Sequence, residues 1–199
     1  MTIRSRSPHP WFTVWVCFGA LLLSPPAWAG EPTEHLRQTI DEVVSVISDD
    51  SLKQNRTELR ARLRTIISRR FNYRQMGART LRQEWQRFSP DQKQQFIALF
   101  KKLLEKAYGN LVENFDGGAI RFVDEQIKGH FALVRTEIQR SDRTVHLDYK
   151  MVQENGQWQV FDLMVDDVSL THNYWRQFTR VLQEESISAL LEKMKKSVT

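Results

Sequence analysis

The stretch Trp158–Phe178, WQVFDLMVDDVSLTHNYWRQF, limits the folds open to this chain more than any other. Its first half is apolar on both sides of an extended backbone, with Val160, Asp162 and Met164 alternating against Phe161, Leu163 and Val165. A strand of that kind must be covered on both faces, which places it inside a sheet. Asp166, Asp167 and Ser169 then stop the strand and offer helix caps. Leu170, Tyr174, Phe178 and Leu182 follow at every fourth position, which is a helix with one apolar stripe. A strand feeding a helix that folds back over it makes one wall of a space, filled either by the protein or by something else.

Before this stretch the hydrophobic period changes once. Up to Gly117-Gly118 it is helical. Pro32–Ser48 carries Leu36, Ile40, Val43, Val44 and Ile47 on one stripe, with Thr33 as its expected cap. A second helix turns Leu59, Leu63, Ile66 and Ile67 inward and Arg56, Arg60, Arg62 and Arg64 outward. A short third one buries Phe71, Tyr73, Met76, Ala78, Leu81 and Trp85 among arginines. Ser89-Pro90-Asp91-Gln92 reads as a capping box with proline at the first helical position. The helix it opens is expected to run to about Leu111, with Gly109 near its end, and to carry Phe96, Leu99, Phe100, Leu103, Leu104, Ala107, Tyr108 and Leu111 as a broad stripe.

From Ala119 the pattern alternates. Four strands are expected, near 119–126, 131–140, 144–153 and 158–166, joined at Lys128-Gly129, Ser141-Asp142 and Asn155-Gly156. Two-residue turns at the last two sites place Val134 opposite Tyr149, and Tyr149 opposite Asp162. One face then collects Val134, Leu147, Tyr149, Met151, Val160 and Met164, with Asp162 among them, and the other Arg135, Glu137, His146, Asp148 and Lys150. A last helix is expected from about Ser186 to Ser197. The fold class that follows is α+β, with helices on a four-stranded antiparallel sheet.

The amino terminus has a different character. Arg4 and Arg6 precede an apolar run from Trp11 to Leu23, followed by Ala27-Trp28-Ala29. This is the pattern of a secretory signal peptide over residues 1–29, cleaved after Ala29 and leaving one domain over 30–199. The run is short of the ~20 apolar residues that span a bilayer with ease. Cys17, the sole cysteine, lies within it, so the expected mature chain has neither a disulfide nor a thiol nucleophile. Of the 29 basic residues two leave with the leader, against 24 acidic ones; that excess is too small and too scattered to argue for nucleic acid.

Chemical motifs are few. The five histidines form no metal-ligand pair, and no glycine-rich phosphate loop or serine elbow occurs. Asp162, expected on the apolar face beside Tyr149, is either a desolvated general base or a carboxylate paired by its neighbours. No histidine or lysine is placed to complete a catalytic set with it. No catalytic group, metal or cofactor is therefore assigned, and the remaining question is whether the facing apolar surfaces meet or enclose a ligand.

FNYRQMGARTL, then SPDQKQQFIALFKKLLEKAYGNL, then WQVFDLMVDDVSLTHNYWRQF, in that order and spacing, resemble the MlaC / toluene-tolerance family of periplasmic phospholipid-binding proteins. Two positions depart from it: Asp167 stands where glycine is usual, and Trp175 where arginine is usual. The resemblance implies helices on a twisted sheet enclosing a hydrophobic pocket for acyl chains. It also implies a non-enzymatic carrier that shuttles phospholipid between an outer-membrane lipoprotein–porin complex and an inner-membrane ABC transporter with an MCE-domain subunit, maintaining outer-membrane lipid asymmetry. Such a carrier would work as a monomer. Joined to the facing argument, the expected walls are Val134, Leu147, Tyr149, Met151, Val160 and Met164 from the sheet, and Met76, Phe96, Leu99, Phe100, Leu103 and Tyr174 from the helices. Basic residues near Arg69, Arg70, Arg74 and Arg79 are the expected surface for the membrane complexes.

Overall fold

The computed structural model describes residues 30–115, 118–140 and 143–199. The expected signal peptide, and the Ser141-Asp142 turn, lie outside the described residues. Seven helices and five strands follow in the order α1 (Glu31–Ser48), α2 (Asp50–Lys53), α3 (Arg56–Arg70), α4 (Tyr73–Leu81), α5 (Pro90–Glu113), β1 (Ile120–Lys128), β2 (Phe131–Gln139), β3 (Thr144–Glu154), β4 (Gln157–Val165), β5 (Val168–Ser169), α6 (Leu170–Glu184) and α7 (Ile187–Val198). The sheet is antiparallel throughout, in the order β1-β2-β3-β4-β5. Five strands replace the expected four, because the chain pairs once more after Asp166-Asp167 before it turns into α6.

Local chemistry explains most boundaries. Ser89 Oγ accepts from the Gln92 amide while Gln92 Oε1 accepts from the Ser89 amide, so the capping box is complete. Ser169 and Ser186 cap α6 and α7 in the same way, through the amides of His172 and Ala189. The helix opened at Ser89 runs to Glu113, close to the expected end, with Gly109 inside its last turns. Two expectations fail. Leu111, expected on the apolar stripe of α5, is exposed. Thr33 does not cap α1; Gly30 holds that position, and the Thr33 amide instead donates to Glu125 Oε2 on β1 at 2.7 Å.

The helix after α3 is also shorter than the apolar pattern suggests. Arg82 takes φ 50°, ψ −122°, which ends α4 and leaves Arg82–Arg87 as a 3-10 turn. At the β4–β5 corner both Asp166 (φ 45°) and Asp167 (φ 66°) are left-handed, the signature of a tight hairpin in which glycine is favoured.

Register decides which side chains share a face. Val134 pairs with Tyr149, as expected. Between β3 and β4, however, the pairing shifts: Met151 opposes Val160, but Lys150 opposes Asp162 and Tyr149 opposes Leu163. Phe161 is the extra residue of a β-bulge. Beyond it every side chain of β4 changes sides, so Asp162 and Met164 leave the face that holds Val134, Tyr149 and Val160, and Leu163 joins it. A second shift at Val123 does the same on β1.

The buried core falls into three clusters. The first joins α4–α7 with Val152 and Phe161. The second places Leu36 of α1 on Ala132, Val134, Met151, Trp158 and Val160. The third packs Ile47, Leu52, Leu59 and Leu63 of α1–α3. A domain of this size ordinarily has one contiguous core, so the seams between these three are where a ligand could be accommodated.

Candidate functional site

Helices α1, α3 and α5 each run from one cluster to another, and each crosses the seam on half-buried apolar side chains. On α1 the stripe leaves Leu36 and Ile40, passes Val43 and Val44, and arrives at Ile47. On α3 it passes from Leu59 and Leu63 through Ile67 to Phe71, which touches both the first and the second cluster. On α5, Leu103 and Tyr108 lie between Phe100 and Val112. From the sheet, Tyr149 packs on the second cluster and Leu163 on the first, Leu147 shares their face, and all three are half-buried. These half-buried apolar side chains between three packed regions are the candidate contacts for acyl chains.

Tyr149 is the clearest member. It lies deep enough for burial to push its phenol up to about 12, with the Thr136 hydroxyl beside it acting in the opposite direction, and yet its surface is not fully covered. Tyr73, next to Phe71 at 6.3 Å between ring centres, is raised to about 12 as well, first by burial and then by the charge of Glu105.

The expected lining residues divide by burial. Leu103, Leu147 and Tyr149 are half-buried at the seam. Met76, Phe96, Phe100, Val134, Met151 and Val160 are fully enclosed, and Leu99 and Tyr174 nearly so. The helical aromatics pack on one another: Phe96 stacks on Phe100 at 5.7 Å and meets Phe178 edge-on at 5.6 Å, while Phe100 meets Tyr174 edge-on at 5.3 Å. They therefore close the α4–α7 bundle and do not face Val134 and Met151, which belong to another cluster. Met164 stands on the opposite face of the sheet, opposite Asp148. Val43, Val44, Ile67 and Tyr108 were visible as stripe residues and Leu163 was expected on the opposite face of the sheet, but incomplete burial has no signature in periodicity.

Asp162 has a structural task. It is 3% exposed; Oδ1 accepts from the Thr171 amide at 3.0 Å, and Oδ2 accepts from Ser169 Oγ at 2.7 Å and from Lys150 Nζ at 3.5 Å. A carboxylate held at the first turn of α6 complements the helix dipole and ties that helix to β4. Tyr149, its expected partner, is on the other face. Among the described residues no group of three or more His, Cys, Asp or Glu is gathered for a metal ion.

Two open depressions, of about 410 and 610 Å³, flank α1 and α3. Their walls combine Val46, Ala61 and Ile66 with Gln38, Asp41, Glu42, Glu58 and Arg62, and both open broadly to solvent.

With this geometry in place, likeness to known proteins is decisive. Residues 37–196 match the MlaC protein family. The chain belongs to the MlaC family. A MlaC relative from Haemophilus influenzae, named as the intermembrane phospholipid transport system binding protein MlaC, is 23% identical over 95% of this chain and 93% of its own length. A solved structure of a phospholipid-binding protein from Ralstonia solanacearum, in complex with a phospholipid, superposes with a TM-score of 0.75 at 19% identity. The match covers 85% of this chain and 97% of that one, and it establishes the MlaC-type fold. No helix among the described residues is long and apolar enough to cross a membrane.

Proposed function

We propose that this chain is a periplasmic phospholipid carrier, exported by a cleaved signal peptide over residues 1–29, that holds acyl chains in the seam between its three core clusters. The supporting observation is the family match, together with half-buried apolar side chains at the cluster boundaries, Val44, Ile67, Leu103, Leu147, Tyr149 and Leu163. Each CH₂ withdrawn from water contributes about 0.8 kcal/mol, so two long chains must be enclosed to travel between membranes. An apolar wall without a fixed hydrogen-bonding pattern tolerates different chain lengths. The names of the Haemophilus and Ralstonia proteins point the same way. No chemical step is required of such a carrier.

The carrier would exchange its cargo with an outer-membrane lipoprotein–porin complex and with an inner-membrane ABC transporter through an MCE-domain subunit. The test is transfer of a fluorescent phospholipid between donor and acceptor vesicles. The protein at substoichiometric concentration should accelerate transfer, and Leu147→Glu should abolish the acceleration without unfolding the domain. Transfer at the uncatalysed rate would refute the reading.

A further inference from the structure

The arginines of α3 and those around α4 are used differently. Arg60, Arg62, Arg64 and Arg69 pair with Glu113, Glu58, Glu105 and Glu42, and Arg70 turns inward to Thr39 and the Trp158 carbonyl. These charges are already engaged. Arg79 and Arg82 have no carboxylate within ion-pair distance among the described residues; both lie on aromatic faces. The Arg79 guanidinium sits 3.9 Å from the centre of Phe161, and 5.8 Å from that of Phe131, whose ring is 48% exposed. The Arg82 guanidinium lies 3.6 Å above Trp175, and its Nη2 is 3.3 Å from His172 Nδ1. His172 in turn packs on Trp175 at 4.9 Å. Arg176 follows on the exposed side of α6.

A guanidinium stacked on a ring is fixed in direction, yet its N–H edge stays open to a second partner. Arg79 lies in the last turn of α4 and Arg82 just beyond its end, on a backbone at φ 50° that a non-glycine residue seldom adopts.

We propose that Arg79, Arg82 and Arg176, with Trp175 and Phe131, form a docking surface for an acidic protein partner. Rigid arginines around a partly covered aromatic centre resemble the energetic centres of protein interfaces. Arg79 feels the Asp162 carboxylate beyond ion-pair distance and Arg82 has no carboxylate within it, so the open edges of both call for carboxylates opposite. A bilayer is a poorer occupant: Trp175 is half-buried and capped by Arg82, so it cannot insert, and no lysine contributes to the patch.

The carrier reading supplies the choice of probe and nothing else. The purified full chain, with lipid content measured by native mass spectrometry, is titrated calorimetrically against the periplasmic domain of the MCE-type subunit from the same organism. Arg79→Glu/Arg82→Glu should weaken binding about tenfold or more. Arg79→Gln/Arg82→Gln should weaken it less, and affinity should fall as salt rises. Lys195→Glu/Lys196→Glu on α7, with the same charge change, should bind within about twofold of wild type. Circular dichroism and lipid content should be unchanged in all three. Equal losses from both reversed pairs, or no wild-type binding at about 0.1 mM, would overturn the proposal. Binding to phosphatidylglycerol vesicles that depends on Arg79 and Arg82, with partner binding unaffected, would also overturn it in favour of a membrane surface. Absence of lipid from every variant would instead refute the carrier reading, separately from the docking result.

Discussion

Replacing Asp162 separates a structural carboxylate from a chemical one. The side chain is 3% exposed and accepts from the Thr171 amide at 3.0 Å and from Ser169 Oγ at 2.7 Å, with Lys150 Nζ at 3.5 Å. Hydrogen bonds to a charged group contribute about 1.5–3 kcal/mol each. Alanine removes all three contacts and leaves the Thr171 amide unpaired in a buried position. Ser169 and Lys150 are less enclosed and recover part of the loss in water. Asp162→Ala should therefore cost about 3–4 kcal/mol. Asn can keep an acceptor for the Thr171 amide but loses the attraction to Lys150, Arg79 and the α6 dipole, so Asp162→Asn should cost about 1–2 kcal/mol. Urea unfolding followed by circular dichroism measures both, with the slope unchanged if the denatured state is unaltered. Phospholipid content of the folded fraction should match wild type. An Asp162→Ala protein within about 0.5 kcal/mol of wild type would refute this account of α6. So would one that kept its stability and lost its lipid.

Other consequences are as direct. Asp167→Gly should stabilise the protein by about 0.5–1 kcal/mol in thermal unfolding, because glycine takes φ 66° without the penalty paid by aspartate. Stability should fall as pH rises from about 10 to about 12: the unfolded Tyr149 phenol ionises first, while the folded one, held near 12, keeps its proton. Tyr149→Phe should remove on the order of 2–3 kcal/mol of that alkaline loss, readable as a flatter stability–pH curve. Phe100→Ala, in the closed helical bundle, should cost about 3–5 kcal/mol. Leu147→Glu, at the half-buried seam, should leave the fold intact and lower bound phospholipid in solvent extracts.

How far residue patterns reach into this structure depends on whether a feature is local. The Ser89 capping box, the helical stripes and the β2–β3 register follow from short-range chemistry and appear as expected. The position of Asp162 does not, because a single extra residue at Phe161 reverses the faces beyond it, and alternation reads the same with or without a bulge. The division of the lining was hidden for another reason. Phe96 and Phe100 have the stripe of a pocket wall and the stripe of a helix bundle, and only α6 and α7 packing on them decides between the two. Leu147 and Tyr149 share their face and their residue type with enclosed neighbours such as Val134 and Met151; what sets them apart is incomplete burial. The arginines posed the same ambiguity, resolved by whether a glutamate or an aromatic ring comes to lie beside each one.

The most direct test is native mass spectrometry of the protein isolated from the periplasm without detergent, before and after gentle collisional activation. The carrier account predicts a stoichiometric mass increment equal to a phospholipid, released as an intact lipid ion, and a smaller one in Leu147→Glu. A wild-type protein that carries no lipid, and takes up none from vesicles, would contradict it.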